Sequence, residues 1–342
     1  MSKPVPRPNP TALMDLSFSF GKTHILQAAV ELDLFTHIDN GHDTAIELAR
    51  ACGGTVRGTR ILANALVGLE ILRKDGDRYV LTDAAKTFLS HNSRAYMGGW
   101  ITHMDQLKES WSHLANTIRT GLPPRQVQDE AHGAEFFSKF VGSLFVMGRP
   151  TADFAAQTIV DNRRGLKILD VGAGSGVWGI SFAMRDREAH VTVADFPQVI
   201  DVTKRFVAEY GLTDRFDYLP GNFRNTDFGE AKYDVVTLGH ILHSEGERHS
   251  KALLAKIRRA LKPNGQLVIG EFLVDENREK NELGLIFAVN MLVNTEEGDT
   301  FSFAEIKNWL REAGFGEVAS LDAPSPSPLI IGKVAAAKER AA

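Results

Sequence analysis

A glycine-rich turn and a later acidic residue are the first residues in the sequence whose types and spacing suggest a ligand. The stretch ILDVGAGSG at 168–176 ends a strand-like apolar run with Gly172, Gly174 and Gly176, and a helical pattern follows. Such glycines let the backbone approach a ligand closely where a parallel sheet reverses its strand order. A second strand-like run ends 23 residues after Gly172, at Asp195, whose carboxylate could accept hydrogen bonds from both hydroxyls of a ribose. A glycine turn without a ligand is the alternative interpretation.

The same loop discriminates between two nucleoside cofactors. The nicotinamide fingerprint places a glycine at its sixth position so that the backbone can approach a pyrophosphate. Val177 occupies that position here, and Asp170 precedes the first glycine by two residues. A carboxylate disfavours a pyrophosphate but suits a cation, and S-adenosylmethionine carries an ammonium and a sulfonium without a phosphate. The loop therefore favours this methyl donor over the cofactor of a nicotinamide-dependent oxidoreductase.

The composition of the chain narrows the class of protein. The chain has 342 residues, of which 43% are hydrophobic and 24% charged, so we expect an ordinary globular protein of about two domains. The formal net charge of −4 indicates no strongly basic surface for nucleic acid. The single cysteine, Cys52, excludes an internal disulfide and a zinc site built from cysteines. Because the sequence shows neither a signal peptide nor an apolar run of about 18 residues, we expect a cytoplasmic protein without a membrane partner.

The first part of the chain has a mainly helical pattern with one short hairpin. Thr44 and Glu47 have the spacing of a helix capping box, and a further helix is predicted at 59–72. Two short strands follow around the Asp75-Gly76 turn, which gives the element order of a winged helix. A winged helix commonly binds DNA, but helix 59–72 presents mostly apolar residues, and this disfavours a transcription regulator.

A change of pattern near Pro150 predicts a second domain. We place the boundary there, which gives domains 1–150 and 151–342. Strand-like and helical stretches alternate after the boundary, and this alternation predicts an α/β fold with a parallel sheet covered on both faces. The predicted strands are 167–171, 190–194, 216–220, 233–238, 266–271 and 329–334, and the predicted helices lie near 177–185, 198–211 and 248–261.

Five stretches together carry a family resemblance. They are LDVGAGSG at 169–176, ADFPQVID at 194–201, LHSEGERHS at 242–250, LKPNGQLVIGEF at 261–272 and NMLVNTEEGDTFSFAEIKNWLREAGF at 290–315. With them the chain resembles the class I S-adenosylmethionine-dependent methyltransferases, and more closely the two-domain small-molecule O-methyltransferases of plant phenolic and bacterial secondary metabolism. The resemblance implies a Rossmann-like, doubly wound seven-stranded sheet after a mainly helical, winged-helix dimerisation domain. It also implies a homodimer, with Leu13, Leu16, Phe18 and Phe20 as interface candidates, and a small-molecule acceptor.

The resemblance assigns a set of residues to the methyl donor. It implies that Gly172 contacts the amino-acid end of the donor and that Asp195 binds the ribose. Asn222 stands where the family has an aspartate and could still form a hydrogen bond with adenine. Gly239 stands where the family often has a basic residue. The implied donor-binding residues are Asp170, Gly172, Gly174, Gly176, Asp195, Phe196, Asn222, Phe223 and Gly239.

The resemblance also supplies a catalytic base. His243 matches the family's histidine that removes the proton of the acceptor hydroxyl, and Glu271, 28 positions later, matches a glutamate that orients it. A free imidazole titrates near pH ~6.5, so a neutral histidine is a suitable base at neutral pH. The family's second glutamate is replaced by Thr300, and the Asp-Trp pair that often follows the histidine is replaced by Ser244-Glu245. The base is therefore expected to have one carboxylate partner.

The acceptor and a possible metal depend on residues around this base. Methionines and aromatic residues at the acceptor positions would suit a flat, mostly apolar molecule. His240 and His243, with Asn294, could instead hold a metal, as in related C-methyltransferases of α-keto acids, and a tetrapyrrole C-methyltransferase is a further alternative. Two histidines without a carboxylate are weak evidence for a metal site, so we assign no metal. The expected acceptor-lining residues are Trp100, Met104, Phe140, Met147, His240, Asn290, Met291 and Asn294.

Overall fold

The computed structural model describes residues 9–124 and 130–335, except for the side chains of residue 106 and residues 130–140. The chain divides into two compact units, Met1–Gln106 and Leu107–Ala342. In the described residues, none of the helices combines the length and the apolar character that crossing a membrane requires.

The N-terminal unit is mainly helical, as predicted. Its two strands form an antiparallel hairpin in which Leu72 pairs with Leu81, and the turn between them contains Gly76 with a positive φ of 60°. The capping box is confirmed, because Glu47 N–H donates to the Thr44 hydroxyl and Thr44 N–H donates to the Glu47 carboxylate. The elements are α1 (Thr11–Glu31), α2 (Leu34–Asp39), α3 (Ala45–Ala51), α4 (Val56–Gly68), β1 (Leu72–Asp75), β2 (Arg78–Leu81), α5 (Asp83–Leu89) and α6 (Gly98–His103).

One predicted boundary in this unit is wrong. The helix predicted at 59–72 ends at Gly68, and Leu72 already belongs to β1. Glu70 adopts a left-handed φ of 59°, and the N–H of Ile71 turns back to the carbonyl of Leu66 at 3.0 Å. These bonds satisfy the last carbonyls of the helix and stop it, although the apolar periodicity continues past the stop.

The apolar side chains of this unit separate into a core and an exposed helix face. The core contains Leu34, Phe35, Leu48, Leu66 and Tyr79, all of them buried. By contrast, helix α1 exposes more than 60% of each of five large side chains, which are those of Leu13, Met14, Leu16, Phe18 and Phe20. At helical spacing Leu13, Leu16 and Phe20 share one side of α1, and Met14 and Phe18 lie on another. So many exposed apolar side chains on one helix are typical of an interaction surface.

The C-terminal unit is an α/β unit whose described residues form eight helices. In chain order they are α7 (Lys108–Ser112), α8 (Leu114–Thr120), α9 (Glu130–Val160), α10 (Val177–Arg185), α11 (Pro197–Glu209), α12 (Leu242–Ala260), α13 (Glu282–Asn294) and α14 (Phe303–Glu312). The strands are β3 (Lys167–Val171), β4 (His190–Asp195), β5 (Phe216–Pro220), β6 (Tyr233–Gly239), β7 (Leu261–Gly270), β8 (Leu273–Val274), β9 (Phe301–Ser302), β10 (Glu317–Leu321) and β11 (Leu329–Lys333). Single 3-10 turns lie at Met104–Leu107 and Thr213–Arg215.

Seven of these strands form one twisted sheet in the order β10-β11-β7-β6-β3-β4-β5, which confirms the implied seven-stranded fold. Strands β3 to β7 are parallel to one another, whereas β11 pairs antiparallel with both β7 and β10. From β3 the chain runs outward through β4 and β5, then returns to add β6 on the other side of β3. The carboxyl ends of β3 and β6 therefore flank the point where strand order reverses, and ligands bind at such a point in open α/β sheets.

Helix α9 explains why the predicted domain boundary differs from the division in the structure. Pro150, where the boundary was expected, lies inside α9. Beyond it Ala152, Ala155 and Ile159 are buried in the same core as Ile168 of the sheet. This buried face attaches the helix to the C-terminal unit, so the compact units divide before α7 and not at the proline.

Edge strand β10 was not predicted from the sequence. It pairs antiparallel with β11, and its burial pattern is only half-buried to exposed. Its residues, Glu317-Val-Ala-Ser-Leu321, have weak alternation and include only two large apolar side chains. Strands of this kind depend on their neighbour for position, so the local pattern gives little signal.

Candidate active site

The glycine loop between β3 and α10 has a backbone that other residues could not follow. Gly172, Gly174 and Gly176 have positive φ angles of 62°, 58° and 77°. A Cβ atom on Gly172 would lie 2.4 Å from Cδ1 of Ile241, and one on Gly176 would lie 2.6 Å from Cγ2 of Thr203. The loop therefore requires glycine for both conformation and space, and it forms a bare-backbone cradle at the carboxyl edge of the sheet.

Asp195 ends β4 next to this loop, as predicted. Its Oδ2 accepts a hydrogen bond from Gly174 N–H at 2.9 Å, and its Oδ1 accepts one from Phe196 N–H at 2.7 Å. Burial raises the pKa of Asp195 to about 6, and the two N–H donors oppose that rise. A carboxylate offers about four acceptor positions, so two remain for ligand hydroxyls. The geometry fits a ribose beside the glycine loop.

Asp170 is placed differently from the expectation that it contacts the donor. It is fully buried, its Oδ2 accepts from Gly179 N–H at 2.9 Å, and its Oδ1 accepts from the Thr237 hydroxyl at 2.8 Å. Burial raises its pKa to about 7. The two oxygens thus link helix α10 to strand β6, and Asp170 supports the glycine loop from the protein interior.

The segment after β5 brings Asn222 and Phe223 to the same edge. Gly221 N–H donates to the carbonyl of Asp195 at 2.9 Å, which ties this segment to the end of β4. Asn222 Oδ1 accepts from Arg224 N–H at 2.9 Å. The ring of Phe223 lies 3.7 Å from the position that a Cβ on Gly172 would take. The structure therefore gathers the glycine loop, Asp195 and the Asn222-Phe223 segment in one place.

Trp178 accounts for the glycine at position 239. A Cβ on Gly239 would lie 2.2 Å from Nε1 of Trp178, and one on Gly270 would lie 2.8 Å from Cζ2 of the same indole. The buried indole thus covers the last residues of β6 and β7 and excludes a basic side chain at 239. Sequence reasoning missed Trp178, although its position in the first turn after the glycine loop was visible.

His243 and Glu271 form the predicted pair. His243 Nδ1 lies 2.6 Å from Glu271 Oε1, and both side chains are buried. Glu271 also accepts from the N–H of Phe272 at 2.9 Å and from the N–H of His243 at 3.3 Å. Burial alone would raise the pKa of Glu271, but the charge and hydrogen bond of His243 outweigh it, and the net pKa is lowered. An ionised Glu271 holds the proton of His243 on Nδ1, which leaves Nε2 as a hydrogen-bond acceptor.

Two phenylalanines that the sequence did not single out surround the base. The ring of Phe287 meets the His243 ring edge-to-face, with centroids 4.9 Å apart. Phe272 packs against Phe287 with centroids 4.6 Å apart and against His240 at 4.9 Å. Phe287 lies three and four residues before Asn290 and Met291 on α13, so helical spacing could have revealed it.

His240 is anchored by a distant loop. Its φ of 59° is unusual for a residue other than glycine, and its N–H donates to the carbonyl of Gly270 at 2.8 Å. Its Nε2 lies 2.8 Å from the hydroxyl of the buried Ser327, which precedes β11. Burial lowers the pKa of His240 to about 4, so its imidazole is neutral at physiological pH.

Each histidine of the metal alternative has one ring nitrogen engaged by a protein group. His240 and His243 have ring centroids 6.3 Å apart, and Ser327 and Glu271 take one nitrogen each. Over the described ranges, no group of three or more His, Cys, Asp or Glu side chains is arranged to hold a metal ion.

Of the remaining predicted acceptor residues, three lie together on α13 and four lie elsewhere in the chain. Asn290 Oδ1 accepts from Trp111 Nε1 and from Asn294 Nδ2, each at 3.1 Å, and Met291 and Asn294 are buried on the same helix. Thr300, in place of the second glutamate, donates to the carbonyl of Gly284 at 3.2 Å. Met147 is 42% exposed, Trp100 and Met104 belong to the N-terminal unit, and the side chain of Phe140 lies outside the described residues.

Comparison with known proteins identifies the family. The O-methyltransferase domain matches residues 111–316, and the O-methyltransferase dimerisation domain matches residues 14–91. The chain therefore belongs to the S-adenosylmethionine-dependent O-methyltransferases, and the predicted enzyme class and methyl donor are confirmed. The N-terminal unit carries the family's dimerisation domain.

Relatives extend this similarity along nearly the whole chain. The tetracenomycin polyketide synthesis 8-O-methyl transferase TcmO of Streptomyces glaucescens is 29% identical over 95% of this chain and 96% of its own length. The 3-hydroxy-5-methyl-1-naphthoate 3-O-methyltransferase of Streptomyces sahachiroi is 31% identical over 93% of this chain and 92% of its own. Human N-acetylserotonin methyltransferase in complex with S-adenosylmethionine shares the fold, with a TM-score of 0.82 at 22% identity over 98% of this chain and 100% of that chain.

Proposed function

We propose that the protein methylates a hydroxyl group of a small aromatic secondary metabolite, with His243 as the general base. The observation that carries this proposal is the buried His243–Glu271 pair, 2.6 Å apart at the carboxyl edge of the sheet. The relatives named above support the acceptor class, since one acts in polyketide synthesis and the other on a hydroxylated naphthoate.

The donor side of the proposed site is built from backbone and two short segments. Gly172 and Gly174 would receive the amino-acid end of the donor, and Asp195 would accept hydrogen bonds from the ribose hydroxyls. Asn222 and Phe223 would hold the adenine ring. S-adenosylmethionine supplies an electrophilic methyl group on its sulfonium.

The base side of the site performs the proton transfer. Because Nδ1 of His243 donates to Glu271, Nε2 can accept the proton of the acceptor hydroxyl as the methyl group moves. Ionised Glu271 then stabilises the imidazolium that forms, without taking the proton itself. A base positioned in this way is worth about 10²–10⁴-fold in rate, and alignment of the two substrates contributes the remainder.

The surroundings of the base suit a flat acceptor. Phe272 and Phe287 lie beside His243, and their ring centroids are 4.6 Å apart. An aromatic acceptor can stack on such rings, which adds about 0.5–1.5 kcal/mol beyond the burial of its area. Asn290 and Asn294 add polar groups on the same helix face, so the acceptor would combine an aromatic body with oxygen substituents.

We also propose that the N-terminal unit forms a homodimer through helix α1. The five exposed apolar side chains of α1 support this, because a monomer rarely exposes so much apolar surface on one helix. Leu16→Glu together with Phe20→Glu should convert a dimer to a monomer in light scattering. A wild-type monomer at high protein concentration would contradict the proposal.

The experiment that tests the function is methyl transfer from labelled donor to a panel of acceptors. We expect labelled methyl ethers from hydroxylated naphthalenes or quinones, identified by mass spectrometry, and no effect of a chelator. Keto acids and amines serve as controls in the same panel. Methylation of a keto-acid carbon that a chelator abolishes would instead establish the metal-dependent C-methyltransferase alternative.

A further inference from the structure

A buried ion pair links two segments that the proposed mechanism leaves unconnected. Arg224 follows the Asn222-Phe223 segment, and Glu245 lies two residues after His243 in the first turn of α12. Nε of Arg224 is 2.6 Å from Oε2 of Glu245, and Nη2 is 3.1 Å from Oε1. Only 3% of Glu245 is exposed.

The geometry of this pair makes it a rigid connection. A bidentate arginine–carboxylate contact fixes both distance and orientation, since two parallel hydrogen bonds form at once. A buried carboxylate that loses its partner is strongly destabilising, and this keeps the pair closed. Arg224 and Glu245 therefore hold the segment after β5 against the start of α12.

A second contact holds the other end of the segment, and it comes from the part of α12 beyond a kink at Gly246, whose φ of 70° and ψ of 174° are not helical. Lys256, in that later part, donates from Nζ to the carbonyls of Phe223, Arg224 and Thr226, the last two at 3.0 Å. The segment 222–226 is thus held by a carboxylate before the kink and by an ammonium group after it.

The backbone at Arg224 also contacts the side chain of Asn222. The backbone N–H of Arg224 donates to Asn222 Oδ1 at 2.9 Å in a local turn, so a displacement of the Arg224 backbone would change the orientation of the amide. With Oδ1 engaged in this turn, the amide N–H₂ group is the part of Asn222 that can donate to a ligand. A shift of Arg224 would therefore reach the donor-binding atoms directly.

We propose that Arg224 and Glu245 are positioning residues for the methyl donor: they fix the adenine-binding segment to the helix that carries the base. This inference rests on the proposed function, because it takes Asn222 and Phe223 to hold the adenine. Neither residue touches the reacting atoms, so their loss should affect donor binding more than chemistry.

The test compares Glu245→Gln with Glu247→Gln. Glu247 is a matched control two residues further along α12, where it forms an exposed pair with Lys251 at 2.8 Å. In Glu245→Gln we expect the donor KM and the calorimetric Kd for S-adenosylhomocysteine to rise about tenfold. The turnover at saturating donor and the acceptor KM should stay within about threefold, and Glu247→Gln should match wild type. A merely structural role would lower turnover through loss of folded enzyme and leave the donor KM unchanged.

Two further variants keep the test decisive if Glu245→Gln folds poorly. Arg224→Lys retains the positive charge but not the bidentate contact with Glu245, so its donor KM should lie between those of wild type and Glu245→Gln. In the double variant Arg224→Met with Glu245→Gln, the loss of donor affinity should be smaller than the sum of the two single losses. Additive losses, or a Glu245→Gln enzyme with wild-type Kd, would overturn this inference alone. A wild-type protein that binds no S-adenosylhomocysteine would overturn the proposed function and this inference together.

Discussion

The two halves of the candidate site are built in different ways. The donor half consists of Gly172, Gly174 and Asp195, which come from two adjacent strands and are held by backbone geometry. The base half consists of His243, in the first turn of α12 after β6, and Glu271, directly after β7, and the two are held by side-chain contacts. Backbone geometry tolerates little variation in the sequence, whereas side-chain contacts can be exchanged one by one. The donor half of this site therefore depends on backbone conformation, and the base half depends on individual side chains.

The buried carboxylates of the two halves show the same difference. Burial raises the pKa of Asp195, and the two backbone N–H groups that donate to it offset only part of that rise. The pKa of Glu271 is lowered despite its burial, because the neighbouring His243 interacts with its charge and donates a hydrogen bond from Nδ1. Glu271 is therefore paired with a side chain, whereas Asp195 is held by backbone groups.

The largest effect should come from removing the base. His243→Ala should reduce turnover by about 10²–10⁴-fold, since no positioned base then takes the hydroxyl proton of the methyl acceptor. Binding of S-adenosylhomocysteine in calorimetry should change little, because the donor half is untouched. His190→Ala, an exposed histidine at the start of β4, is the control for the loss of an imidazole. Near-normal turnover in His243→Ala would show that alignment alone drives the reaction.

The complementary change in the donor half should affect binding. Asp195→Ala removes the acceptor for two ribose hydroxyls, and hydrogen bonds to a charged group contribute about 1.5–3 kcal/mol each. We therefore expect at least about 100-fold weaker binding of S-adenosylhomocysteine by calorimetry. Asp217→Ala, at an exposed position on the neighbouring strand β5, should bind as wild type does. Unchanged affinity in Asp195→Ala would remove Asp195 from the donor site.

The donor half could be predicted from the sequence for a physical reason. Its glycine spacing, its strand ends and Asp195 lie within 24 consecutive residues, from Gly172 to Asp195. Positive φ angles and strand periodicity are local properties, so a short window of sequence contains them. The parallel sheet followed from the same periodicity, and five of the six predicted strands match the observed ones within one residue at each end.

The base half could be predicted only in part. Family spacing indicated His243 and Glu271, but the packing of Phe287 on His243 and the bond from Ser327 to His240 join segments that are far apart in the chain. No local pattern encodes such contacts. The same limit explains Asp170, where the sequence indicated a ligand contact and the fold turns both oxygens inward.

A smaller effect in the base half should come from neutralising its carboxylate. Glu271→Gln can still accept the Nδ1 proton of His243 but no longer stabilises an imidazolium with a full charge. Loss of one charge-assisted contact of about 1.5–3 kcal/mol corresponds to roughly 10–100-fold slower turnover. Steady-state kinetics with saturating donor measures this loss. A decrease as large as that in His243→Ala would mean that Glu271 also fixes the position of the ring.

The donor half should respond to pH in a specific direction. Burial raises the pKa of Asp195 to about 6, so lowering the pH protonates the carboxyl and weakens it as an acceptor. About one tenth of the groups remain ionised one pH unit below the pKa, and donor affinity should fall roughly tenfold between pH 7.5 and pH 5. Calorimetric titration with S-adenosylhomocysteine across this range measures it. A constant Kd from pH 5 to pH 8 would contradict the assigned role of Asp195.

The smallest expected effect concerns Asp170, the buried aspartate below the donor half, and distinguishes its role from that of Asp195. Burial raises the pKa of Asp170 to about 7, from about 4 in an unfolded chain. Its stabilising contribution is therefore complete below about pH 4 and is lost as the pH rises through about 7. Asp170→Asn removes this titration, while its amide can still accept from Gly179 N–H and donate to the hydroxyl of Thr237.

We therefore expect Asp170→Asn to melt a few degrees higher than wild type at pH 8 and to show little gain at pH 5, as measured by scanning calorimetry. Because both oxygens of Asp170 face α10 and β6, S-adenosylhomocysteine should bind this variant within about threefold of wild type. Asp195→Asn is the matched substitution one strand away, and it should lose donor affinity. If Asp170→Asn lost as much affinity as Asp195→Asn, then Asp170 would belong to the ligand contacts, and this support of the glycine loop would be part of the donor site itself.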